Sequence, residues 1–495
     1  MMKIRLVKTA SKARAVQVVR YQNNKRVVFK HIGSAHTGEA LNELMILAKE
    51  WIKSYTAQVS IFEEDAPNNL LHLNHCEFVG IRYNFFYKNM NLLHAELGLD
   101  FLPILLKDLV IIRIFEPASK LRSLELMEQF FGIKHSRKTY YKIAPECIEL
   151  KHEVEGKILN FARTHYAFNF DILFYDVTTL YFETFEEDEL RRNGFSKDSK
   201  SQQPQIMIAL MVSKEGFPVA YQVFSGNTFE GHTILPVVKA FIEQNKVKAF
   251  TIVADAAMIS AENVKQLIEN NINYIVGARL GNVSAALLET IHGSIKREDG
   301  GSIRLKTESG YLICSYSSVR YRKDLYEMNK QIEKAKQVVL QPSKSKKVKF
   351  TQTENQKVVL HEALIEKSKK LLGIKGYYTN LEESVANNKT IMERYHELYK
   401  IEQAFRISKN DLQTRPIFHF KEQPIKLHLL ICFIALVISK HIELQTGLSI
   451  RKFLDMSKKI VDGQILNHMT NKVATIKAIP SDKFQKIVSK LFVPH

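Results

Sequence analysis

The stretch FDILFYDV, residues 170–177, decides the fold. Upstream of it, from about residue 78, apolar residues recur at helical spacing; here they crowd together as a buried strand, and the run stops on Asp176. A buried strand that ends on an acid delivers a carboxylate to a sheet edge, clear of the core. The same device recurs at residues 249–254, an apolar strand that ends on Asp255.

Between and beyond these two acids the pattern stays strand-like and helical by turns. Residues 205–213 and 219–225 read as strands joined by the turn EGFP at 215–218. A helix is predicted over 232–244, a second over 261–270, and a strand over 274–278. Three strands in hairpin order, then helix, strand, helix, strand, is the order expected of a ribonuclease H-like α/β domain with a mixed sheet. Its first part is predicted over 168–280. Residues 281–376 interrupt it with a predicted β-hairpin (302–307 and 311–317), a charged helix (321–340) and the basic run KSKKVK at 344–349. This reads as an inserted β-rich and helical subdomain. The core resumes over 377–440.

The third acid comes from TIMERYHELYKIEQAFRISKNDL, residues 390–412. Read as one helix at about 100° per residue, Tyr395, Glu402, Arg406 and Lys409 project at roughly 0°, −20°, +20° and −40°. A carboxylate flanked by cations and a Tyr suits metal and phosphate better than apolar packing, because an unpaired buried charge is costly. Three carboxylates, Asp176, Asp255 and Glu402, would repel one another unless cations entered between them. Two divalent ions about 4 Å apart would offset that charge and serve an in-line phosphoryl transfer. Oxygen-only ligands favour Mg²⁺ or Mn²⁺ over Zn²⁺. No GxxxxGK[ST], HExxH or GxSxG pattern occurs, so the familiar motifs for ATP, zinc-peptidase and serine-hydrolase chemistry are missing.

The flanks fit a polyanionic partner. Over 495 residues, Lys and Arg number 71 against 52 Asp and Glu, a net charge of +19, and an excess of that size points to nucleic acid. Residues 1–60 read as a basic α+β module, with a hairpin (15–21 and 26–32) and a helix from about 38 to 51; it is either a DNA-backbone binder or a merely basic surface. Residues 78–165 read as a helical domain, either ordinary or a helix-turn-helix-like unit that reads a DNA end. Residues 441–495 read as a helical tail. The four cysteines form no CxxC pair, which fits a reducing cytoplasm. No signal-peptide core is read near the start, and the apolar run 427–439 is too short to span a bilayer, so a buried helix and no membrane are expected.

Taken together, FYDVTTLYFE (174–183), GFSKDSK (194–200), QPQIMIALMVSKEGFPVAYQVFSGNT (203–228), IVADAAM (252–258) and YKIEQAFRISKNDLQTRPIFH (399–419) resemble the DDE transposases of bacterial insertion sequences, in the subgroup with a Tyr-Arg-Glu-Lys signature. The resemblance runs from about residue 172 to 420. It implies that Asp176, Asp255 and Glu402 are the catalytic, metal-binding triad of a ribonuclease H-like core. Tyr395, Glu402 and Lys409 match the signature's Tyr, Glu and Lys; its Arg position is Leu398 here, and Arg406 is the cation expected to contact the DNA backbone instead. Lys197 and Lys200 either approach the DNA phosphates or belong to a solvated basic loop. The implied function is binding of the element's terminal inverted repeats, metal-dependent cleavage, and strand transfer into target DNA by a homodimer on the DNA, in the cytoplasm at the nucleoid. The competing readings are a ribonuclease H-like nuclease without strand transfer and a DNA-binding protein derived from a transposase.

Overall fold

The computed structural model describes residues 2–22, 25–56, 76–194, 202–245, 250–258, 260–341, 348–354, 357–468 and 471–493. These form two compact units, one of 1–82 with 461–478 and one of 83–460 with 479–495.

In the first unit, strands β1 (Met2–Lys8), β2 (Arg14–Gln22) and β3 (Lys25–Ala35) form an antiparallel sheet in that order. Helix α1 (Gly38–Thr56) covers one face, burying Leu41, Leu44 and Ala48 against Val16 and Val18. Strand β4 (Cys76–Arg82) belongs to the same unit.

The second unit opens with five helices: α2 (Asn84–Glu96), α3 (Ile104–Phe115), α4 (Lys120–Phe131), α5 (Arg137–Glu149) and α6 (Lys151–Tyr166). Their limits follow local chemistry. The Ser119 and Ser136 hydroxyls accept from the amides of Arg122 and Thr139 to cap α4 and α5, and Gly132 closes α4 in the left-handed conformation. Then come β5 (Ile172–Tyr181), β6 (Gln205–Ser213), β7 (Pro218–Ser225), α7 (Ile234–Asn245), β8 (Thr251–Ala254), α8 (Ala261–Glu269) and β9 (Asn273–Ala278). Next are α9 (Ala285–Ser294), β10 (Ser302–Thr307), β11 (Gly310–Tyr316), α10 (Ser318–Leu340), β12 (Thr351–Glu354), β13 (Lys357–Leu360), α11 (Glu362–Lys370) and β14 (Ile374–Thr379). Helices α12 (Asn388–His396), α13 (Tyr399–Arg406), α14 (Glu422–Thr446) and α15 (Ile450–Ser457) follow. Strands β15 (Asp462–Asn467) and β16 (Lys472–Ile476) return to the first unit, and α16 (Asp482–Ser489) belongs to the second.

The architecture is mixed α/β around an eight-stranded sheet ordered β10-β11-β14-β9-β8-β5-β6-β7. Strands β5, β8 and β9 run parallel, and every other neighbouring pair is antiparallel. All nine residues of β6 are buried, as expected for a strand covered on both faces.

Four expectations are corrected. Strand β5 does not stop on Asp176: it runs on to Tyr181, paired residue by residue with β6, so this acid stands within the strand, opposite Leu210. The hairpin β10-β11 does not stand apart within an inserted subdomain: it pairs with β14 and extends the main sheet, giving partners to backbone groups that would otherwise be a bare edge. Helices α10 and α11 do gather a small core of their own, with Met328, Phe350 and Ile365 buried together. The C-terminal segment is not all helical, because β15 and β16 pair with each other and β15 with β4. Nor is the apolar run near residue 430 short. Helix α14 has 25 residues, long and apolar enough by length and composition to cross a membrane, yet 94% of its most apolar window is buried in the protein. It packs against α3, α5 and β7, so its apolarity is that of a core helix.

Around α14 lies a buried basic cluster. The Arg113 guanidinium donates to the carbonyls of Ala118 at 2.8 Å and of Leu412 and Gln413 at 3.5 Å, tying α3 to the segment behind α13. His428 donates Nε2 to the Thr414 carbonyl at 2.9 Å, and His419 stacks on Tyr140. Burial, then the charges of Lys120 and Arg113, lowers the pKa of both, His419 to about 4. Burial also pushes His94 down from 6.5 to about 4. A His with a depressed folded pKa is neutral in the native state while its unfolded counterpart takes up a proton below 6.5. Stability therefore falls as pH drops from 6.5 towards 4, by about 3 kcal/mol for each group held near 4. Urea unfolding across that range should show the loss, with a proton uptake approaching three; a flat profile would mean these rings protonate freely in the fold.

Candidate active site

The parallel pairing of β5 and β8 sets the two aspartates side by side. Tyr175 is opposite Ala254 in the register, so Asp176 and Asp255 occupy equivalent next positions. Side chains alternate across a sheet with a period of two, so equivalent positions face the same side. Helix α13 packs against β5 and β6 and α12 against β8 and β9, which brings Glu402 and Tyr395 to the two aspartates.

Asp176, Asp255, Glu402 and Tyr395 line one cavity of about 370 Å³, together with Lys375, His396, Leu398 and Tyr399. Asp176 accepts from the Val177 amide at 2.8 Å and Asp255 from the Ala256 amide at 2.7 Å. Each carboxylate is thus oriented by the peptide that follows it. The Tyr395 hydroxyl donates to Asp255 Oδ1 at 3.1 Å. Burial, then the negative charge of Asp255, holds the Tyr395 phenol far above its ordinary range, so it stays a donor at any working pH. Its ring is 8% exposed and packs edge-on to Tyr377, the centroids 5.0 Å apart.

The cation of the cavity is Lys375, on β14. Its ammonium lies 4.5 Å from the centre of the Tyr395 ring. Burial, then the charge of Arg320, lowers its pKa, while Asp255 opposes the shift. His396 is lowered by burial and then by Lys375, and is therefore neutral near pH 7.

The stretch 390–412 is not one helix. The Leu398, Lys400 and Ile401 amides bond to the carbonyls of Tyr395, Glu397 and Leu398, a tightened turn in which each residue advances about 120°. After Arg406 the chain widens into a π-turn, Ile407–Asp411. A single stripe cannot survive two changes of pitch. Tyr395 and Glu402 still reach one cavity, but Lys409 donates to the Thr178 hydroxyl and lines a separate small cavity between β5, β6 and α14. Arg406 is exposed on the last turn of α13, outside the wall of the acid cavity. Lys197 and Lys200 lie outside the described residues.

Sequence reasoning missed Lys375 and His396. The signal for Lys375 was a single Lys in the apolar run IKGYYT at 374–379, a charge on a strand with no reason to be there but a cavity. Leu398 is 8% exposed and lines the cavity beside Lys375. Among the described residues no three His, Cys, Asp or Glu side chains close on a common ligand point. The three acids nonetheless line the same cavity, and their oxygen-only donor set is the kind that hard divalent cations take.

The Transposase DDE domain matches residues 168–438, more than half of the chain. No curated protein matches it. A solved structure, the cryo-EM structure of a piggyBac transposase synaptic complex with hairpin DNA, is 11% identical with a TM-score of 0.37, covering 93% of this chain and 84% of that one; a likeness so distant bears on neither fold nor function. The matched span begins just before β5 and ends within α14, so it contains Asp176, Asp255 and Glu402, and the chain belongs to the Transposase DDE domain family.

Proposed function

We propose that this protein is a metal-dependent DNA transposase with a ribonuclease H-like core, which binds the terminal inverted repeats of an insertion sequence of the Tyr-Arg-Glu-Lys subgroup, cleaves at them and joins the freed 3′ ends to target DNA. The observation that carries the reading is that three acids, 79 and 147 positions apart along the chain, line one cavity beside the parallel pair β5 and β8. Asp176, Asp255 and Glu402 would hold two Mg²⁺ or Mn²⁺ ions, which when bound activate a water or 3′-hydroxyl and stabilise the leaving oxygen. The chain's own part is positioning. Tyr395 fixes the Asp255 carboxylate through its hydroxyl, the β5–β8 register holds the two aspartates level, and α13 presents Glu402 from above. Arg406, Lys409, Lys197 and Lys200 serve as contacts to the DNA backbone, and the basic module 1–60 and the helices of 78–165 as recognition of the ends. Joining two element ends calls for a homodimer on the DNA.

The test is cleavage of a labelled linear DNA that carries the inverted repeats flanking the coding region. Nicking at the repeat boundary with Mg²⁺ or Mn²⁺, abolished by EDTA and by Glu402→Ala while binding persists, is the expected result. Cutting that survives Glu402→Ala would remove Glu402 from the reaction. Specific binding without cleavage under either metal would leave a DNA-binding protein.

A further inference from the structure

Lys375 lines two cavities. Besides the acid cavity it borders a larger one of about 550 Å³, walled by the β9–β14 edge, α10 and α11. Four cations face this second cavity, Arg320, Lys349, Lys367 and Lys375, against two acids, Asp324 and Glu327. Asp324 and Arg320 form an ion pair, Nε to Oδ2 at 3.3 Å, and Asp324 also accepts from the Gly373 amide at 3.2 Å, which leaves three lysines against Glu327. Among the described residues Lys367 reaches only the Val283 carbonyl, at 3.5 Å, and Lys349 lies over the Phe350 ring. Gly376 and Leu280 meet in its lining: a Cβ at Gly376 would lie 2.6 Å from a Leu280 methyl. Cations gathered around a partly apolar hollow repel one another, and an anion entering it relieves that repulsion where the surroundings screen it least.

We propose that this second cavity holds a backbone phosphate of the DNA strand whose scissile phosphate lies in the acid cavity, with Lys375 common to both sites. The inference rests on the DNA-cleavage reading. A phosphodiester is the anion of choice because it repeats: a strand with one phosphate at the acids presents the next to the neighbouring cations, and Lys375 stands where the two cavities meet. The ammonium, resting on the Tyr395 ring, thereby links strand position to the tyrosine that orients Asp255. Lysine suits the task, being a compact point charge with three donors that can turn between two phosphates.

The test reads binding in EDTA, so it needs no turnover. Inverted-repeat DNA is prepared with a single neutral methylphosphonate at the cleaved position or at each neighbouring position on the same strand. Wild type should lose about tenfold in affinity at one or two of these positions, the effect of one charge-assisted hydrogen bond. Lys375→Gln should bind more weakly overall and show no further loss there, while Lys375→Arg keeps the penalty. Lys367→Gln, which removes a side chain with one long contact, should lose the penalty at the outer position only, and covers the case in which Lys375→Gln fails to fold. Each lost phosphate contact should also reduce the log–log salt slope by about 0.9. The same penalty in wild type and both Gln variants, or none in wild type, overturns the proposal and leaves the cleavage reading standing. A wild-type protein that does not bind the repeats at all overturns both.

Discussion

Asp176→Asn and Asp255→Asn should each lower cleavage by about 10³-fold or more while leaving the fold as stable as before, or slightly more so. The two halves of this expectation have different causes. For cleavage, the amide cannot supply the negative charge that the reaction draws on, and several kcal/mol of lost transition-state stabilisation correspond to that factor at about 1.4 kcal/mol per tenfold. For stability, Asn retains an oxygen that can accept from the Val177 or Ala256 amide and, at Asp255, from the Tyr395 hydroxyl. One of three like charges facing a 370 Å³ cavity is removed, which relieves repulsion. Thermal melting of each variant beside wild type, with cleavage of repeat DNA in parallel, checks both halves. A variant that melts well below wild type would make the aspartates structural, and one that still cuts would take its acid out of the site. Only a group kept for chemistry at the expense of stability fits both results.

How far the sequence could be read depended on whether a feature was local. The strand that stops before Asp255 was legible because an apolar run and its terminal acid are adjacent in the chain; the end read at Asp176 was not there, because β6 pairs with β5 as far as Tyr181 and carries the strand past the acid. The break at Glu397 and Leu398 was not legible. Helical periodicity fits the residues on either side, and the tightened turn is chosen by what they pack on: Tyr395 against Tyr377, and α13 against β5. Strands β15 and β16 escaped because the partner of β15 is Cys76–Arg82, at the far end of the chain, and no local pattern announces a partner that distant. Lys375 escaped for a related reason. Read alone it is one Lys beside a strand, and it acquires meaning only when β14 is laid against β9, bringing it to the aromatic ring of a residue 20 positions on.

Gly277→Ala should be the most damaging single methyl that can be added to this protein near the acid cavity. A Cβ at this position of β9 would lie 2.5 Å from the Tyr395 hydroxyl and 3.2 Å from its ring carbon Cζ, closer than packed atoms tolerate. Tyr395 cannot simply yield. Its ring is held between Tyr377 and the Lys375 ammonium, and its hydroxyl is committed to Asp255. Overpacking of this kind costs about 1–3 kcal/mol. If the ring is displaced by about 1 Å, Asp255 loses the donor that orients it, and cleavage should fall about 10²-fold. The companion variant separates strain from chemistry. Tyr395→Phe deletes the atom at 2.5 Å and leaves the two contacts at 3.2 Å, to the ring carbon and to the Ala256 methyl, so Gly277→Ala combined with Tyr395→Phe should be more stable than the two single losses add up to, by about 1 kcal/mol or more. Its cleavage should stay low, because the hydroxyl that held Asp255 is gone in both cases. Strict additivity in stability would mean that the glycine is not there to admit the tyrosine, and full cleavage by the double variant would mean that Asp255 does not need it.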